Sequence, residues 1–384
     1  MPCDTPPPPP GLGTADGDDM DEDVDEQAYW IVNEDDIEEI PLNDDSILTF
    51  ECHRDSVFCC NFNKNGDLAV SGGQDDKAFV WNTTNAETKF ECTGHSESVI
   101  AADFSYDDSF VATADMNGFV QVWNVNSGSK VCDFDTSEIM WMEWHNTENM
   151  LFAGTTDGCC WKWGIPDGET SLFQTHGFGS SSGKLLPDGC TCAIGYMDGS
   201  IKLWDISNCC SIGNVSGPAA HKKSVLCLAC HPNNGLILSG SEDGTAKLIK
   251  QSTSKVLWTL DCTDVQNAVN GESVESVGFF DSHPHAATGT NCGNLIIWDI
   301  PSQVKRSTCK LEVAIVKLIC DKNSHLIYVG SANGELELYD GRTGHCEKKW
   351  AGHELSILDF TLSRDGEKIL TSSDDYSCKI FKVR

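Results

Sequence analysis

LAVSGGQDDKAFVWN, Leu68 to Asn82, is the stretch that decides the fold. A short apolar run meets a glycine pair and two aspartates, and a second apolar run then ends at Trp81. Alternating apolar runs split by turn residues read as paired β-strands. The pattern returns along the chain: VATADMNGFVQVWN carries Trp123, LFAGTTDGCCWKWG Trp163, CAIGYMDGSIKLWD Trp204, LILSGSEDGTAKLIK Ile249, AATGTNCGNLIIWD Trp298, IYVGSANGELELYD Tyr339 and ILTSSDDYSCKIFK Phe381. The spacings between these anchors are 42, 40, 41, 45, 49, 41 and 42 residues, a repeat of one supersecondary unit.

A second marker travels with the first. His53, His95, His176, His221 and His353 each lie 28 residues before their anchor, two of them in Gly-His pairs. With a Gly-His start and a Trp-Asp end to each unit, residues 47–384 resemble the WD-repeat family. The strand pattern supports the same fold independently. SVFCCNF, LAVSG and KAFVW are strand-length runs separated by Asn-Gly and Asp-Asp turns, and no stretch sustains helical periodicity. Four strands in about 42 residues make one propeller blade, which buries both faces only inside a ring. Eight anchors predict an all-β, eight-bladed propeller over residues 46–384. The long spacing into Trp298 places a polar insertion at 262–273. The chain stops three residues after its last anchor, so the last blade lacks an outer strand, and SILTFEC (46–52) is expected to supply it and remove an exposed edge.

The net charge of -33 is unevenly spread. Residues 1–46 hold 16 acidic side chains and no Lys or Arg. Residues 1–45 therefore read as a disordered acidic arm, with a Tyr29-Trp30-Ile31-Val32 island and an extended Pro6–Pro10 linker. Direct nucleic-acid binding is not expected, because it needs a basic face; a basic protein or peptide is the natural partner. The 20 cysteines sit in apolar runs behind a start without a signal-peptide pattern, and read as reduced thiols of a cytosolic or nuclear protein. No run reaches the length of a membrane span. A monomer is expected.

In the WD-repeat family a His, a Ser or Thr, an Asp and the Trp of each blade form a hydrogen-bonded chain. The resemblance implies a structural tetrad of His53, Ser71, Asp75 and Trp81 in the first repeat, and of His95, Thr113, Asn117 and Trp123 in the second, with Asn in the Asp place. Only the first repeat holds the full set. Repetition around a ring argues for bracing rather than catalysis. Other chemical motifs fail on context. GSSSG (179–183) has no following helix, Gly183-Lys184 lacks phosphate-loop spacing, and His283, His285 and Cys292 have no paired-Cys motif. No catalytic, cofactor-binding or metal residue is expected.

Partners of such propellers tend to dock where the loops before the inner strands meet the turns before the third strands. Those places hold Glu138, Glu242, Glu312, Glu354 and Asp374, with Met116 and Met197 at equivalent turns and Arg54 and Lys222 among them. An acid-rich face with Met between suits a basic amphipathic peptide. Trp141, in WMEWH (141–145), is read either as core or as reaching the central channel from this face, with Trp144 in the core. The arm, SGGQDDKAFVW, ATADMNGFVQVW, WMEWH, LLPDG and GHELSILDFTLSRDG together resemble the angio-associated migratory cell protein family. That resemblance implies one of two roles. One is that of the fungal members, dedicated chaperones of a basic large-subunit ribosomal protein. The other is that of the animal members, in cell migration and receptor signalling at the cell periphery. Leu338-Tyr339-Asp340-Gly341-Arg342 also resembles the W-D-x-R box of cullin-ligase substrate receptors, a third reading.

Overall fold

The computed structural model describes residues 43–173, 176–233, 235–263 and 271–383. Most of the expected arm, with its Trp30 island, and the centre of the 262–273 insertion lie outside these residues. Among the described residues the chain forms eight antiparallel four-stranded sheets. The opening stretch makes the second and third strands of blade 1, Leu68–Gly73 and Ala78–Asn82, between the inner strand Val57–Phe62 and the outer strand Thr88–Cys92. Ala69 lies opposite Trp81 and Gly72 opposite Ala78. Asp76 takes a left-handed φ of 61° in the turn between them, a conformation Asp tolerates. The helical content of the described residues is two short 3-10 turns, Gly217–Ala219 and Gln251–Thr253.

The alternation of apolar positions buries each sheet on both faces. One buried cluster fills each junction between neighbouring blades. Val70, Val80 and Cys92 of blade 1 meet Val99, Phe104 and Val111 of blade 2, and Leu238, Leu248 and Leu260 of blade 5 meet Val274, Phe279 and Trp298 of blade 6. Close approach needs glycine at the end of the second strand. A Cβ on Gly72 would come within 2.6 Å of Val99 Cγ1, and one on Gly195 within 2.6 Å of Val225 Cγ1.

The ring closes as the strand count requires. Ser46–Phe50 pairs antiparallel with Cys378–Lys382 and becomes the outer strand of blade 8. Phe50 also crosses to blade 1, where its ring stacks on Trp81 at 4.5 Å and 3°. Leu370, Cys378 and Ile380 complete that junction. Every cysteine among the described residues is a free thiol. No helix among them is long and apolar enough to cross a membrane.

Candidate protein-binding face

The histidines brace the turns that build one face of the ring. In blade 1, Trp81 Nε1 donates to Ser71 Oγ at 3.3 Å, Ser71 Oγ lies 2.9 Å from His53 Nε2, and His53 Nδ1 lies 3.0 Å from Asp75 Oδ1. Burial alone would raise the Asp75 carboxyl. Hydrogen bonds from His53 and from the Arg54 and Lys77 N–H groups outweigh it and hold the pKa below its ordinary value. Blade 8 repeats the histidine part of this arrangement, with Phe381 in the Trp place, His353 Nδ1 2.7 Å from Asp375 and Nε2 2.6 Å from Thr371. Asp375 is pulled down to about 2, because the His353 bond overcomes its burial. In blade 5, His221 joins Ser239 and Asp243 although Ile249 stands in the Trp place. Burial lowers the pKa of His221 and of His95, and their aspartates offset only part of that.

Blade 2 departs from the expected tetrad. His95 Nε2 lies 2.8 Å from Thr113 Oγ1, but the carboxylate on Nδ1 is Asp115, at 3.0 Å, not Asn117. Asp115 sits two residues earlier, at the place of Gly73 in blade 1, and accepts the Phe119 N–H as well. Its shorter reach from the strand end suits a fully buried carboxylate, while Asn117 is left exposed at the turn. Trp123 Nε1 is buried without a hydrogen-bond partner, so the chain of bonds stops at Thr113.

Above these braces the same backbone hydrogen bond recurs in all eight blades. The N–H of the residue seven before each anchor donates to a carbonyl of the loop before the inner strand, at 2.8–3.1 Å. The donors are Gln74, Met116, Thr156, Met197, Glu242, Asn291, Ala332 and Asp374, and the acceptors include Ser98, Glu138, Gly179 and Ser356. This ring of bonds brings the expected face residues onto one surface. Glu138, Glu242, Glu312 and Glu354 are exposed, Asp374 is half-buried, and Met116 and Met197 are 51% and 41% exposed. Glu242 is paired with Lys223 at 3.1 Å. Among the described residues, Glu138, Glu312, Glu354 and Asp374 have no cation within ion-pair distance.

Trp141 does not belong to this face. Its half-buried ring fills the junction of blades 3 and 4, where a Cβ on Gly154 or Gly183 would collide with it, and its Nε1 donates to Ser180 at 2.8 Å. The two glycines make the slot. Trp144 is buried and donates to Asp103 O at 3.0 Å. Inside the channel Glu143 pairs with Lys184, and Asp359 with Lys317 at 2.6 Å. Burial there, with Glu143 nearby, raises Asp103 to about 7. Arg342 is bound within its own turn to Asp340 at 2.9 Å.

Four exposed apolar side chains of the face were not anticipated: Met140, Phe178, Leu355 and Tyr376. Phe178 and Leu355 occupy one repeat position, two before the inner strand, where four other blades carry Asp55, Glu97, Lys223 and Glu272. Aligning that column of the repeat exposes them.

Comparisons with known proteins agree with the repeat and the fold. The model of the WD domain, G-beta repeat, matches residues 44–82, 86–124, 171–205, 215–250 and 344–382. The unmatched blades 3, 6 and 7 are those without the histidine. Human angio-associated migratory cell protein is 39% identical over 350 residues, 89% of this chain and 81% of that protein. The chain belongs to the angio-associated migratory cell protein family. Ribosome assembly protein SQT1 of Saccharomyces cerevisiae is 26% identical over 90% of this chain and 88% of its own length. Two solved structures share the fold. S. cerevisiae Sqt1 has a TM-score of 0.81 at 24% identity, and Chaetomium thermophilum Sqt1 bound to the N-terminus of ribosomal protein L10 has 0.80 at 22%. Each covers 89% of this chain and 100% of the solved one.

Proposed function

We propose that this family member is a non-enzymatic escort, which holds a basic segment of a large-subunit ribosomal protein on its acid-rich face. The observation that carries the reading is the set of exposed carboxylates, Glu138, Glu312 and Glu354, left without cations on a face built by eight equivalent backbone bonds. The relatives named for ribosome assembly, and the Sqt1 structure holding an L10 N-terminus, support the choice of client. The histidine–carboxylate pairs that look catalytic are structural. His53, His95, His221 and His353 are buried with both ring nitrogens engaged. Capture of a basic segment as a cytoplasmic monomer would shield it from aggregation and from RNA. Charge complementarity makes such capture fast and salt-sensitive.

The test is calorimetric titration of a synthetic L10 N-terminal peptide into the full chain at low and moderate salt. Binding should weaken as salt rises. Glu138→Lys with Glu312→Lys and Glu354→Lys should weaken it by about ten- to a hundredfold, from about 0.2–1 kcal/mol for each exposed pair lost and a like-charge penalty on top. No binding at low salt, or full binding by the triple variant, defeats the reading. The second reading, a migration scaffold, draws on the higher identity to human angio-associated migratory cell protein. It expects the tagged protein at the cell periphery and tolerance of the three reversals there.

A further inference from the structure

We infer that the segment held on this face carries an apolar side chain among its basic ones, and that this anchor seats on Phe178 and Met197 of blade 4, beside blade 3. The inference rests on the proposed reading of the face as a site for a basic segment. Of the twelve large apolar side chains exposed among the described residues, six lie on this face, Met116, Met140, Phe178, Met197, Leu355 and Tyr376. Four of the six fall in consecutive blades, 2 to 4. Their placement is built rather than incidental. The Met197 N–H donates to Gly179 O at 2.9 Å, and a Cβ on Gly179 would lie 2.8 Å from Met197 Sδ and 2.9 Å from Thr156 O. Met197 therefore lies over the backbone next to Phe178, against the blade 3 turn. Gly158 of that turn meets Phe178 O so closely that a Cβ there would collide.

Phe178 is 54% exposed and Met140 40% exposed, with Glu138 two residues before Met140. Clustered exposed apolar surface on a monomer marks an interaction site, and Met adapts its shape to varied anchors. Glu312, Glu354 and Asp374 lie in blades 7 and 8, across the ring. Blades 2 to 4 thus form an apolar sector with four of the six apolar side chains beside Glu138, and blades 7 and 8 hold three of the four unpaired carboxylates beside Leu355 and Tyr376. A purely cationic segment would leave the apolar sector wet, and a purely apolar one would leave the carboxylates unanswered. A segment with both chemistries fits.

Two short synthetic peptides of equal positive charge test this, one carrying a single leucine and the other serine in its place. Fluorescence anisotropy is read on the full chain and on the Phe178→Ser, Met197→Ser double variant, at low and moderate salt. The leucine peptide should bind the parent about tenfold more tightly, as expected for burying one aliphatic side chain. That ratio should persist as salt rises, and it should vanish in the double variant, which still binds the serine peptide as the parent does. Phe178→Leu with Met197→Leu should restore the preference. Equal binding of the two peptides by the parent overturns the inference while the proposed reading stands. If neither peptide binds, the proposed reading falls first.

Discussion

Replacing Phe50 by alanine tests ring closure directly. Phe50 is 1% exposed, in the strand that completes blade 8. Its ring stacks on Trp81 at 4.5 Å and meets Phe79 at 5.8 Å, both in blade 1. The side chain is therefore held by two blades that are far apart in sequence. Truncating a buried Phe to Ala costs about 3–5 kcal/mol, transfer and cavity together. The cost should reach the upper part of that range, because a stacked aromatic pair adds about 0.5–1.5 kcal/mol beyond area burial. Ile47→Ala, in the same strand but 54% exposed, is the control and should change stability by less than about 0.5 kcal/mol. The assay is urea unfolding followed by tryptophan fluorescence. Phe50→Ala should lower the midpoint with the slope unchanged, the signature of lost stability rather than of an opened native state. A loss for Phe50→Ala below about 1 kcal/mol, or one equal to that of Ile47→Ala, would refute closure through this strand.

Further outcomes follow from the braces, the channel and the thiols. Ser71→Ala leaves Trp81 Nε1 and His53 Nε2 buried without a partner and should cost about 2–4 kcal/mol, whereas Thr113→Val strands only His95 Nε2 and should cost about 1–2 kcal/mol. Urea midpoints compare the two, and equal losses would contradict the broken chain of bonds in blade 2. Asp103, held up at about 7 from 3.8, keeps its proton in the folded state where the unfolded chain has lost it. Its stabilising contribution is present below the unfolded pKa and is lost as pH rises through the folded one. Asp103→Asn should therefore raise the melting temperature over the parent by a margin that grows from pH 5 through pH 7 and levels off about one pH unit above the folded pKa. A margin independent of pH would show that Asp103 is charged throughout. Maleimide should label Cys52, Cys190, Cys210 and Cys346 in the native protein and spare Cys60, Cys160 and Cys192, whose thiols burial raises well above the ordinary pKa. Peptide mapping reads the result, and native labelling of Cys60 would place an opening at the junction of blades 1 and 8.

The repeat, the number of blades and the closing strand were legible in the amino-acid sequence. Each rests on local signals: period-two apolar runs, turn residues at fixed offsets, and a histidine 28 residues before its anchor. A strand has only two faces, so its pattern states which side chains go inward, and SILTFEC reads as a strand with no blade of its own, which the structure pairs with Cys378–Lys382. The exposure of Glu138, Glu242, Glu312 and Glu354 at their turns was legible too, since repeat positions map to places on a ring. Three things waited for the tertiary structure. Asp115 rather than Asn117 meets His95, because a carboxylate two residues nearer the strand end reaches the same ring nitrogen by a different path. Trp141 fills a junction, because Gly154 and Gly183, from two different blades, leave a slot its own strand does not reveal. Phe178 and Met197 stand exposed together, because backbone bonds of one turn and the bulk of the next blade set their surroundings. Periodicity reports the face a residue takes, while its contacts depend on neighbours some 40 residues away, and only packing brings those together.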